Sequence, residues 1–137
     1  MKTILLTGAP GFLGSHLLKR LLKDNYNVII LKRSFSNTFR IADLLTDIKQ
    51  YNIDLINLED VFKENKIDTV IHCATNYGRN NESHLNILQS NLILPLTILH
   101  YNGPVLCKVI LESDYIFLPK LSSKKLEDGT MISPRLS

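Results

Sequence analysis

The chain has 137 residues, 45% of them hydrophobic and 21% charged, with a formal net charge of +3. That length suits one domain, and the apolar fraction excludes a disordered or collagen-like chain. No stretch is long and apolar enough for a transmembrane helix, and the basic residues are scattered, so composition favours neither a membrane nor a nucleic-acid partner.

In chain order, Lys2–Thr7 is a short apolar run ending at Gly8 and predicts a buried strand. Phe12–Lys23 follows with Leu13, Leu17 and Leu21 at helical spacing, and Lys19, Arg20 and Lys23 sit near its end, where cations suit the helix dipole. The glycines at 8, 11 and 14 and the charges after them break the apolar run too early for a secretory leader. Asn27–Leu31 predicts a second buried strand, so the first unit is a right-handed parallel βαβ. Ile41–Tyr51 predicts a helix, Asn52–Asn57 a short third strand, Leu58–Asn65 a helix and Thr69–Ala74 a fourth strand. Glu82–His100 predicts a long helix kinked or ended near Pro95, which lacks a backbone donor. Lys108–Leu111, extending toward Phe117, predicts a fifth strand, and Leu121–Ser137 reads as an aperiodic tail. The expected fold class is therefore α/β: a doubly wound parallel sheet, incomplete at about five strands, of order 3-2-1-4-5. The expected division is a cofactor-binding domain over 1–118 and an irregular tail over 119–137. Cys73 and Cys107 form no metal-ligand cluster and read as reduced thiols of a cytoplasmic protein; no metal is expected.

Between the first strand and first helix lies Thr7-Gly8-Ala9-Pro10-Gly11-Phe12-Leu13-Gly14. A glycine loop between a strand and a helix suits a dinucleotide pyrophosphate. Gly8 permits the tight turn, Gly11 lets the ligand approach the backbone and Gly14 lets the helix pack closely. Free amides near Phe12 and Leu13 then face phosphate oxygens. Glycines serving an ordinary turn are the alternative.

TGAPGFLGSHLLKRLL resembles the N-terminal fingerprint of the extended short-chain dehydrogenase/reductases, the NAD(P)-dependent epimerases, dehydratases and reductases of sugar nucleotides. The likeness continues through TVIHCAT at 69–75 and Ser90-Asn91-Leu92, where Asn91 matches the family's helix asparagine. Within the family, VIILKRSFSNTFRI and HCATNYGRNNES look most like CDP-sugar synthases of the abequose/paratose type. The resemblance implies a dinucleotide cofactor and, in a longer form of the protein, a nucleotide-sugar substrate. It leaves the oligomeric state open.

Where the family usually has an aspartate for the ribose hydroxyls, this sequence has Lys32, followed by Arg33 and Ser34. These pair with a 2′-phosphate, whereas a carboxylate repels one, so NADP(H) is expected over NAD(H). The alternative is that they are solvated loop charges. Asp54 and Leu55, by the same resemblance, border the adenine, or else are a surface aspartate and a core leucine. Ala74, Thr75 and Asn76 end the fourth strand and line the nicotinamide side. His72, inside an apolar strand, reads as a packed, hydrogen-bonded histidine rather than an acid or base.

The family works through a Tyr-x-x-x-Lys pair on one helical face, in which the lysine lowers the tyrosine pKa. Four residues beyond Tyr26, Tyr51, Tyr77, Tyr101 and Tyr115 stand Ile30, Leu55, Asn81, Val105 and Pro119, and none is lysine. Ser113 is either the family's polarising hydroxyl or an ordinary serine. No catalytic residue is therefore assigned. The expectation is the cofactor-binding part of a sugar-nucleotide epimerase, dehydratase or reductase, cut short and with little or no turnover of its own. The alternative is a non-catalytic NADP(H)-binding or redox-sensing module.

Overall fold

The computed structural model describes residues 1–79, 81–102, 106–109, 124–125 and 131–132, the last three segments as backbone only. In chain order the elements are β1 (Thr3–Thr7), α1 (Phe12–Lys23), β2 (Asn27–Lys32), a 3₁₀ helix (Phe39–Leu44), β3 (Lys49–Asn52) and α2 (Leu58–Glu64). There follow β4 (Thr69–His72), α3 (His84–Leu88), a π-helical turn (Gln89–Ile93), α4 (Leu94–Asn102) and β5 (Leu106–Val109). A short antiparallel pair, β6 (Lys124–Lys125) and β7 (Met131–Ile132), lies in the segment read as an aperiodic tail. The first five strands form one parallel sheet of order β3-β2-β1-β4-β5, as the alternating pattern predicts.

The two faces of the sheet follow the two-residue period of its strands. Ile4 and Leu6 of β1, Val28 and Ile30 of β2 and Ile71 of β4 point to one side, where Leu18 and Leu21 of α1 and Ile41 of the 3₁₀ helix cover them. Leu5, Ile29, Leu31 and Val70 point to the other, against Val61 of α2 and Ile98 of α4. Burial on both faces is why β1 and β2 read as continuous apolar runs rather than alternating ones. α1 ends as its sequence suggests. Asn25 takes a left-handed φ of 61°, and the amides of Asn25 and Tyr26 close on the carbonyls of Leu22 and Leu21.

Three predicted elements differ. Among the described residues the fifth strand is Leu106–Val109 rather than Lys108–Leu111. The helix expected over Ile41–Tyr51 is a 3₁₀ helix that ends at Leu44, and the third strand is Lys49–Asn52 rather than Asn52–Asn57. Parallel pairing decides the register: Ile29 to Lys32 of β2 align with Lys49 to Asn52. An edge strand of sequence KQYN carries no apolar signal, so Ile41, Leu44 and Ile48 mimic a helix while Ile41 and Ile48 enter the core from separate segments. The long helix does not end at Pro95; it runs to Asn102. The wider π turn at Gln89–Ile93 comes immediately before Leu94 and Pro95, so the missing proline donor falls at the register shift. Among the described residues no helix is long and apolar enough to cross a membrane. Residues 110–120, including Ser113, Tyr115 and Lys120, lie outside the described residues.

Candidate functional site

A cleft of about 830 Å³ opens at the carboxyl ends of β1, β2 and β4. In an open parallel sheet this is the switch point, where connections leave to opposite faces and a crevice remains. Its floor is the glycine loop. Gly8 has a φ of +72°, and a Cβ there would stand 2.6 Å from the Ala74 nitrogen and the Cys73 carbonyl carbon. A Cβ on Gly14 would stand 2.0 Å from the Gly8 carbonyl oxygen. Both positions are pressed backbone to backbone, which draws the start of α1 against the ends of β1 and β4. Gly11 is the N-cap of α1 with extended geometry; no side chain caps the helix and its first turn holds no acid. The amides of Phe12, Leu13 and Gly14 therefore lack intrahelical acceptors at the edge of the cleft.

The Thr7 hydroxyl joins β1 to the end of β4. It lies 2.7 Å from His72 Nδ1 and accepts from the amides of Cys73 and Ala74, each at 3.2 Å. His72 is buried and hydrogen-bonded, and burial holds its pKa below the ordinary histidine value. Beyond β4, Asn91 in the π turn grips Asn76. Its Oδ1 accepts from the Asn76 amide at 2.7 Å, and its Nδ2 donates to the Asn76 carbonyl at 2.8 Å.

On the β2 side, Arg33 Nε donates to Asp54 Oδ1 at 3.1 Å while its guanidinium lies 4.7 Å from the Phe35 ring centroid. Asp54 Oδ2 accepts from the Ser34 amide at 2.8 Å. That backbone bond, followed by the Arg33 guanidinium, holds the Asp54 carboxyl below its ordinary range.

Of the residues singled out in the sequence, Thr7, Gly8, Gly11, Phe12, Leu13, Gly14, Lys32, Arg33, Ala74, Thr75 and Asn76 all line this one cleft. Ser34 does not; its hydroxyl accepts from Asn52 Nδ2 at 2.9 Å, and Ser36 lines the cleft instead. Asp54 lines a smaller neighbouring hollow of about 310 Å³. Leu55 lies in the turn after β3, 77% exposed and in neither cavity, while Ile53 reaches both. The sequence reading missed Arg40, Phe35 and Leu94, which also line the main cleft. None belongs to a motif with fixed spacing; only the fold brings them there. Among the described residues no group of three His, Cys, Asp or Glu side chains is placed to hold a metal ion.

A doubly wound parallel sheet with a glycine loop pressed into its switch point defines a Rossmann-type nucleotide-binding domain. A model of the NAD dependent epimerase/dehydratase family matches residues 4–113, and the chain belongs to that family. It is 32% identical to the CDP-abequose synthase of Salmonella muenchen over 120 residues, which cover 85% of this chain and 38% of that protein. Among solved structures it resembles the UDP-Glc/GlcNAc 4-epimerase of Campylobacter jejuni, with a TM-score of 0.61 and 26% identity over 81% of this chain and 36% of that one. The Helicobacter pylori ADP-L-glycero-D-manno-heptose-6-epimerase shares the fold, with a TM-score of 0.64 and 20% identity over 80% of this chain and 38% of that one. The chain thus spans little more than a third of the length of these relatives.

Proposed function

We propose that the chain binds an NAD(P) dinucleotide in the main cleft and supplies the cofactor half of a sugar-nucleotide epimerase, dehydratase or reductase. The observation that carries this is the glycine cradle. A Cβ at Gly8 or Gly14 would occupy space already taken by backbone, and three uncapped amides with no nearby acid remain at the start of α1. Such a donor set fits a pyrophosphate. The amides of Phe12, Leu13 and Gly14 hold it, with Gly11 leaving the backbone open to its approach. Lys32 and Arg33 meet the adenosine end, and Ala74, Thr75 and Asn76 face the nicotinamide. When bound, the cofactor supplies a hydride acceptor or donor. The residues of this chain bind it and orient it: Thr7 and Asn91 fix the backbone of 73–76 along the cleft.

With Lys32 at the end of β2 and no acid among the cleft residues there, the site favours NADP(H) over NAD(H). Since no tyrosine is followed four residues on by lysine, the chain has little or no turnover of its own. The kinship to sugar-nucleotide enzymes makes a nucleotide sugar the substrate class, in the cytoplasm. A thermal-shift and urea titration with NADPH and NADH tests the reading. A dinucleotide at about 100-fold above its dissociation constant stabilises the fold by roughly 2.7 kcal/mol. No stabilisation by either nucleotide refutes the site; equal affinity for both refutes the preference.

A further inference from the structure

We propose that Arg40 is a specificity-determining residue of this cleft, meeting the 2′-phosphate that distinguishes NADP(H) from NAD(H). The inference rests on reading the cleft as a dinucleotide site and asks which cations there are still free to act. Among the described residues, Lys32, Arg33, Arg40 and Arg79 line the cleft, against a single carboxylate, Glu82.

Arg33 is the obvious candidate from the sequence, but the fold has given its charge a partner. Its Nε donates to Asp54 Oδ1 at 3.1 Å, and the Ser34 amide holds the other carboxylate oxygen at 2.8 Å. To an approaching anion the pair presents donors but almost no net charge. Lys32 and Arg40, by contrast, have no carboxylate within 4.0 Å among the described residues. A phosphate monoester carries about −1.5 to −2 charges at neutral pH, so one free lysine leaves it under-compensated. Arg40 supplies the second free cation.

Its placement suits the task. The backbone of Arg40 is fixed by its neighbour Ile41, which is fully buried in the core under the sheet. Its guanidinium carbon lies 4.5 Å from the Phe39 ring centroid. That contact narrows the rotamers the side chain explores. It leaves uncommitted the in-plane N–H groups that grip a phosphate in pairs.

The test is calorimetric titration of the full chain and of Arg40→Gln with NADPH and with NADH. Loss of a charge-assisted phosphate contact weakens NADPH about tenfold or more while NADH affinity stays within about twofold. Arg40→Lys restores part of the NADPH affinity, and Arg20→Gln, on the exposed face of α1, changes neither. If Arg40→Gln weakens both nucleotides alike, or leaves their ratio unchanged while the parent chain binds NADPH preferentially, Arg40 does not read the 2′-phosphate. A parent chain that binds neither nucleotide instead brings down the dinucleotide reading, and this inference with it.

Discussion

Thr7 offers one proton and two lone pairs, and all are used. The amides of Cys73 and Ala74 both donate to its oxygen, so the hydroxyl proton goes to His72 Nδ1. This arrangement suits a neutral ring with its own proton on Nε2, since a second proton on Nδ1 would face the hydroxyl proton. This geometry acts in the same direction as burial, which lowers the His72 pKa. Between the folded value and the ordinary value near 6.5, the unfolded chain binds a proton that the folded chain does not, so stability rises with pH across that window. The contribution is complete above about pH 6.5 and is lost as pH falls through the window. Urea midpoints measured at pH 7.5 and 5.5 should therefore drop on acidification in the parent chain and drop less in His72→Gln. Identical drops in both would mean that His72 is not the titrating group.

At the scale of elements, the approach of α1 to the strand ends rests on Gly14. A methyl group there would lie 2.0 Å from the Gly8 carbonyl oxygen, and Gly8 cannot retreat because it already abuts Ala74 and Cys73. Overpacking typically costs about 1–3 kcal/mol, and with backbone on both sides Gly14→Ala should reach or exceed the upper figure. At Gly11, the N-cap, the nearest atom to an added Cβ is the Gly8 carbonyl oxygen at 3.2 Å, a tight approach without overlap, so Gly11→Ala should cost about 1 kcal/mol, less than Gly14→Ala. Denaturation midpoints that fall equally in the two variants would contradict this division. α1 itself was legible because the leucine spacing, the basic residues at its end and the glycines before it agree over Phe12–Lys23. β3 was not: KQYN owes its strand geometry to pairing with Ile29–Lys32, a long-range contact that leaves no local pattern. The π turn is equally silent, since Pro95 announces only that a donor is missing and not how the preceding turn accommodates the loss.

Across the whole molecule, the part of the site built on the glycine loop and the strand ends could be read from spacing, because the fold class dictates where those residues meet. Arg40 could not, since nothing local ties it to Lys32. A second global feature follows from composition along α3, the π turn and α4. From His84 to Asn102 the sequence contains no Asp, Glu, Lys or Arg, over roughly 28 Å of helix. One side of it packs through Ile98 and Leu94 against the sheet and α2. The other leaves Leu85 76%, Leu88 51%, Leu92 49%, Leu96 53% and Leu99 47% exposed. Scattered exposed leucines are ordinary, but an uncharged stripe of five along one helical run exceeds what a monomer usually shows to water. The chain should therefore associate with rising concentration, through apolar contact that salt does not screen. Sedimentation from about 1 to 100 µM should show growing mass that persists in 0.5 M salt, because counter-ions weaken charge pairs and not apolar burial. The double variant Leu92→Lys, Leu96→Lys should shift that association to higher concentration. NADPH affinity should be unchanged, because neither residue lines the cleft. Mass that stays constant over this range, or association that the lysines leave untouched, would show that the stripe does not drive self-association.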